Sequence, residues 1–236
     1  MAIDDLPAPL VNFLNIIGIE WPYINEDSLH QFATLVRGFG QAVDKTHQDA
    51  TRVVSAIAQA HQGASTAQMR SGWAELSSRH VTEIVDAAGI AADALDAWAV
   101  YVVAQKVEAI AEMVELAVSY FAAIAAAPET LGASLAALPG LEEIGEAMGN
   151  ALLQTLQQYA LGQVMNAALK PFLAKFESLM SGLDWSGTSA AGGDSGGGFQ
   201  LDEAQVRSQI SAMRTHVETM KSHGSTLQDG IAGLSF

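Results

Sequence analysis

The chain contains no cysteine, so neither a disulfide framework nor a thiolate metal site can form, and the redox compartment is left open. Basic residues are scarce. Only 11 Lys and Arg face 26 Asp and Glu, a formal net charge of −15 at pH 7, which repels phosphate backbones and anionic lipid alike and argues against nucleic-acid binding. Charge of either sign is thin, 16% of residues, whereas 50% are hydrophobic. A chain of 236 residues with that make-up can bury a sizeable core and is not a disordered protein, but much of its surface must be small, apolar or covered by a partner. No basic residue precedes the apolar run Leu10 to Ile19, and the terminus Met1-Ala2-Ile3-Asp4-Asp5-Leu6-Pro7 starts acidic, so no secretory signal peptide is read there. An uninterrupted membrane-length run is missing too. The best candidate, Trp98 to Ala127, is broken by Lys106, Glu108, Glu112 and Glu115, charges that a hydrocarbon core penalises heavily.

What the sequence does carry is helical periodicity. Behind Asn25-Glu26-Asp27-Ser28, which offers N-cap candidates with acids in the first turn, apolar residues recur at Leu29, Phe32, Val36, Phe39, Val43, Ala50, Val53, Val54 and Ile57. This predicts a helix from Asp27 to Ala60, closed by a polar turn at His61, Gln62 and Gly63. Ser65-Thr66-Ala67-Gln68 has the Ser-x-x-Gln form of a capping box, and Met69, Trp73, Leu76, His80, Ile84, Ala88, Ala91, Leu95, Trp98 and Val102 then follow on one face. Two antiparallel helices, the second running from Ser65 to Ala127, are the expected frame. Gln105, Glu108, Glu112, Glu115 and Ser119 share a narrow polar stripe on the second helix, which suits the interior of a bundle.

Before this hairpin, Pro9 to Ile19 reads as a short apolar helix closed by Trp21-Pro22. After it, Ala126-Ala127-Pro128 ends the second arm, Glu129 to Leu138 forms a short helix, and Pro139-Gly140 marks a corner. From Leu141 the series Ile144, Met148, Leu152, Leu156, Tyr159, Val164 and Leu169 is helical as far as Lys170-Pro171, where a kink is expected before Phe172, Phe176, Leu179 and Met180. The segment 186–199 is glycine- and serine-rich and predicts a flexible linker. Beyond it Val206, Ile210, Met213, Val217, Met220, Leu227, Ile231 and Leu234 keep a three-four alternation, with Gly224 in the one missing place. At about 1.5–3 kcal/mol per buried side chain, leaving this seam in water would forfeit roughly 10 kcal/mol. The helix must dock on its own bundle or on another chain.

The expected fold class is therefore all-α: an elongated helical bundle over 1–185 built on the long antiparallel hairpin, the linker 186–199, and a C-terminal amphipathic helix over 200–236. Candidate catalytic groups are few. Gly193-Asp194-Ser195-Gly196-Gly197 matches a serine-protease nucleophile motif, but it lies in the linker, with no strand pattern to build an oxyanion hole. A di-iron site would need two Glu-x-x-His pairs, and none occurs. His80 continues the apolar face as a core histidine, and His216 and His223 share one exposed face of the last helix. Trp73 and Trp98 read as packing residues. No enzyme activity, cofactor or metal is expected, and function falls to helix surfaces, with Trp73, Val206, Ile210, Met213, Val217 and Met220 as the candidate partner interface.

A family resemblance is carried by Leu6-Pro7-Ala8-Pro9-Leu10, Trp21-Pro22 with Glu26-Asp27 behind it, Gln62-Gly63 at the turn, Trp73, Ser78-Arg79-His80 and Lys106, and by the later run Leu156-Gln157-Gln158-Tyr159-Ala160-Leu161-Gly162-Gln163-Val164 through Ala168-Leu169-Lys170-Pro171. In this order they resemble the N-terminal WXG-like domain of actinobacterial polymorphic toxins, including the channel-forming CpnT type. The triplet at the position of the superfamily's Trp-x-Gly turn is His61-Gln62-Gly63, so only the glycine matches. The resemblance implies a non-enzymatic targeting and partner-binding module for type VII (ESX-like) secretion of a toxin. Its partners would be the secretion machinery, a cognate toxin or a WXG-type protein, in a homo- or hetero-oligomer. Its route would be independent of a signal peptide, cytoplasmic before export and then secreted or at the cell surface. Tyr23 to Asp27 has the Tyr-x-x-x-Asp/Glu form of the secretion signal of these systems. No toxin domain follows Phe236, which implies a stand-alone delivery module or a truncated chain. The alternative is a membrane-active or channel-forming protein in which Val114 to Ala127 inserts.

Overall fold

The computed structural model describes residues 6–19, 21–22, 24–60, 64–182 and 203–234. The turn His61-Gln62-Gly63, Tyr23, and the linker 186–199 with its Gly193-Asp194-Ser195-Gly196-Gly197 motif lie outside the described residues. The fold is all-α, and no strand occurs among the described residues. Its helices are α1 (Ala8–Ile17), α2 (Glu26–Ala60), α3 (Ala64–Leu76), α4 (Thr82–Ala125), α5 (Leu138–Tyr159), α6 (Lys170–Gly182) and α7 (Glu203–Ala232).

Several boundaries differ from the sequence reading, each for a local reason. Helix α1 stops at Gly18, not at Trp21-Pro22: Gly18 takes a left-handed backbone (φ 71°) and its N–H caps the Leu14 carbonyl, a conformation open to glycine at little cost. The second hairpin arm is not one α-helix, because a π-helical stretch, Ser77–Val81, joins α3 to α4. Here the Ser77 hydroxyl donates to the Trp73 carbonyl at 2.7 Å and Thr82 Oγ1 to the Ser77 carbonyl at 3.0 Å. Such hydroxyls compete with amides for carbonyls, and the ladder widens.

The helix expected over Glu129 to Leu138 reduces to a 3-10 turn at Ala133–Ala137. Leu131 and Gly132 preceding it have positive φ (54° and 86°), and Ser134 Oγ reaches the Ala123 carbonyl at 2.7 Å, which folds the chain back on α4. Pro139 is no corner. It occupies the first turn of α5, where a missing N–H leaves no bond unmade. Before Pro171 the helix widens into a π-helical segment, Ala160–Leu169, and continues as α6. Proline cannot donate to the carbonyl four residues back and its ring crowds it, and a wider turn relieves both.

The chain divides into two compact units, one drawing its described residues from 6–31 and 94–165, the other from 32–93 and 166–234. In the first, Leu10, Phe13 and Leu14 of α1, Leu29, Val102, Met113 and Tyr120, and Leu152 and Leu156 of α5 form the core. Helix α1 approaches α5 over two glycines one turn apart. A Cβ on Gly145 would come within 2.9 Å of the Phe13 ring, and one on Gly149 within 2.9 Å of Ile19 Cγ2, so a side chain at either position would force its neighbour to shift. Tyr101 stacks on Tyr159 with centroids 4.2 Å apart, and Tyr120 donates to Glu142 at 3.0 Å. That bond to a carboxylate, then burial, holds the phenol protonated and raises its pKa.

In the second unit, Val36, Phe39, Val43 and Val54 of α2, Ile84, Ala88 and Ala91 of α4, Phe172 and Leu179 of α6, and Met220 and Leu227 of α7 are buried. Phe39 meets Phe176 with centroids 5.3 Å apart. The pairing of α2 with α3 and α4 is antiparallel: as the first partner advances from Arg37 to Gly40 to Thr51, the second recedes from Asp93 to Ala88 to Trp73. A Cβ on Gly40 would lie 3.0 Å from Ala88 Cβ. Glycine and alanine thus set a close helix approach.

Candidate functional site

Of the candidate interface residues, the second unit brings four together: Trp73, Met213, Val217 and Met220. Trp73 lies flat on His47, with ring centroids 4.9 Å apart and planes 13° from parallel, and its indole N–H donates to Thr51 Oγ1 at 3.0 Å. His47 and Thr51 are one turn apart on α2, so a single helix face clamps both the ring and its polar edge. The Thr51 hydroxyl donates in turn to the His47 carbonyl at 2.8 Å. Beside this clamp, Trp73, Leu179, Met213, Val217 and Met220 line a cavity of about 30 Å³. That is the volume of roughly one water molecule, far below the several hundred Å³ of a ligand pocket.

Helix α7 docks here within its own unit. Met220 and Leu227 are buried, Met213 and Val217 half-buried, and Gly224 lies where a Cβ would meet the Met180 methyl at 3.1 Å. Ile210 remains 47% exposed, and the side chain of Val206 is outside the described residues. The expectation that His216 and His223 share an exposed face is corrected. Both are half-buried: His216 lines the cavity and His223 Nε2 sits 2.9 Å from Thr46 Oγ1, because they flank the docked seam. His47 has its pKa lowered by burial, partly opposed by the Asp44 carboxylate. His80 is half-buried in the π-helical stretch, and the core position falls to Val81. Asp27, one half of the proposed secretion signal, is exposed in the first turn of α2.

In the first unit, periodicity placed the charges wrongly. The stripe Glu108, Glu112, Glu115 and Ser119 faces solvent and not a bundle interior, since burying carboxylates without cations costs several kcal/mol each. Lys106 is the buried charge. Its Nζ lies 2.9 Å from Glu26 Oε1, with side-chain exposures of 0% and 3%, and donates to the Ile24 carbonyl at 2.8 Å. Neither oxygen of the Glu26 carboxylate has a hydrogen-bond partner among the described residues, so charge holds it. The signal was present in the sequence: Ala99, Val102, Lys106, Met113, Ala117 and Tyr120 fall on one buried helical series. Two further polar groups there, the indole N–H of Trp21 and of Trp98, are buried without a partner among the described residues.

Among the described residues no helix is long and apolar enough to cross a membrane, and no group of three or more His, Cys, Asp or Glu could hold a metal ion. The described residues define an all-α protein of long, antiparallel-paired helices whose buried polar groups tie one helix to the next. Residues 5–140, more than half of the chain, match the family model of the WXG100-like domain, and the chain belongs to that family. Membership associates it with type VII secretion and with protein–protein interaction. Searches of curated proteins and of solved structures return no match.

Proposed function

We propose that this protein is a non-enzymatic targeting and partner-binding module that delivers a toxin through a type VII (ESX-like) route, of the kind found at the N-terminus of polymorphic toxins. The family match over 5–140 carries this reading. The antiparallel helical pairing supports it, because it presents extended helix faces to partners. We further propose an organisation of the chain into a bundle over 1–185, a linker over 186–199 and a C-terminal helix over 200–236, in which α7 uses Met213, Val217 and Met220 together with Trp73 as a docking seam. Tyr23 and Asp27 serve as the export signal in this scheme.

The test is export. In a host with a working type VII system, epitope-tagged protein should appear in the medium or at the cell surface, and loss of the secretion ATPase should retain it in the cytoplasm. Tyr23→Ala with Asp27→Ala should lower export without lowering cellular levels. Export indifferent to the ATPase would sink the proposal.

A further inference from the structure

The solvent side of α4 in the first unit carries a second apolar seam. Val100, Ala104, Val107, Ala111, Val114 and Val118 are spaced alternately four and three residues apart, the repeat that keeps one stripe facing a partner helix. Val100, Val107 and Val118 are 63%, 52% and 57% exposed, Ala104 and Ala111 are exposed and Val114 is half-buried. The alternation of valine with alanine lets a second helix approach closely. Glu108, Glu112 and Glu115 run along one edge of this stripe, all exposed, where flanking charges choose the partner of a helix pair.

Charge decides the occupant. Residues 6–31 and 94–165 together contain 11 Asp and Glu but a single Lys or Arg, Lys106, and Lys106 is buried against Glu26. A second copy of this unit therefore offers no lysine or arginine to the glutamate edge in either orientation, and two such surfaces repel. We infer that the Val100–Val118 face of α4 docks an amphipathic helix of a different protein, one whose apolar stripe is flanked by lysine or arginine. This deepens the partner-binding reading above and rests on it. It assigns that reading a surface, and a partner chemistry, separate from the α7 seam.

The probe is a synthetic peptide about four heptads long with leucine and valine in its seam and lysine at the flanking positions, compared with the same peptide carrying glutamate. The full chain should bind the lysine peptide, weakening as salt rises, and bind the glutamate peptide at least about tenfold more weakly. Val107→Asp with Val118→Asp should abolish binding although it adds negative charge, which separates seam docking from mere attraction of a cation to an acid. Glu108→Gln with Glu112→Gln and Glu115→Gln should erase the preference between peptides. Both sets of substitutions fall on exposed positions, and circular dichroism checks that the helices are retained. Equal binding of the two peptides, or binding indifferent to the aspartates, overturns the inference, as does a concentration-dependent dimer that the aspartates abolish, which would assign the face to a second copy. If wild-type protein is exported in an ATPase-dependent way while any of these results is found, the inference fails and the secretion reading stands.

Discussion

Lys106 and Glu26 form an ion pair at 2.9 Å from which water is almost wholly excluded. A pair of this kind contributes little net stability, since desolvation of both charges offsets their attraction, but removing one partner strands the other. Lys106→Met should therefore destabilise the protein by about 3–5 kcal/mol. Adding Glu26→Gln should recover most of that loss. Urea unfolding followed by circular dichroism measures both, and a double variant as unstable as the single one would show that packing, not charge, sets the cost.

At the α1–α5 contact, Gly145→Val should cost about 1–3 kcal/mol, because the Phe13 ring is fully buried and has nowhere to move. Gly89→Ala is the contrast. Nothing lies within 4 Å of a Cβ built there, two turns into α4, so the gain in helix propensity should stabilise by up to about 1 kcal/mol. Melting temperatures that move in the same direction for both would contradict this account of the two glycines.

The burial of His47 sets a pH dependence. Its folded pKa lies below the usual imidazole value of 6.5, so below that pH the unfolded chain takes up a proton that the folded chain resists. The stability it contributes is complete above the unfolded value and is lost as pH falls through the folded one. Thermal melts should show a fall between neutral and acid pH that is smaller in His47→Phe, which keeps a ring against Trp73 and cannot titrate. An identical fall in both proteins would place the titration elsewhere.

Replacing Met213 and Val217 with Asp puts two carboxylates beside the Trp73 cavity, and α7 should release from its unit. Limited proteolysis should then cut the chain faster ahead of Glu203, and the protein should elute earlier on size exclusion. Unchanged cleavage and elution would mean that the seam makes no energetically significant contact.

The fold class and the core faces of α2, α4 and α7 were legible in the sequence, since Leu29, Val36, Phe39 and Val43, then Ile84, Ala88, Ala91 and Leu95, fall on helical series and are buried. The break at Ser77–Val81 was not, whereas the one before Pro171 was marked by its proline. Periodicity assumes a constant turn, and the hydroxyls of Ser77 and Thr82 or the ring of Pro171 change the turn without changing the apolar pattern around them. Charge was misread for a related reason. A lysine on an apolar face reads as an interruption until its counter-ion is known, and Glu26 lies eighty positions away in sequence, beyond any local pattern. The meeting of His47, Thr51 and Trp73 was illegible too, because a contact between two helices depends on the register that their connecting turn imposes. Trp73 itself could be singled out by its place on the stripe.

The π-helical stretch Ser77–Val81 holds one residue more than the pattern around it needs. Half-buried Leu76 is followed on the packed side by half-buried His80 and then by buried Val81, a step of five from Leu76 to the residue from which the face continues through Ile84 and Ala88. Removing a single residue between Ser77 and His80 would close that step to four and leave every neighbour's orientation intact, whereas the same deletion within α4 would swing all later side chains off their face. When sequences of relatives are aligned, this is where a one-residue gap should open and be tolerated, and its presence or absence would sort the family into members with and without the widened turn.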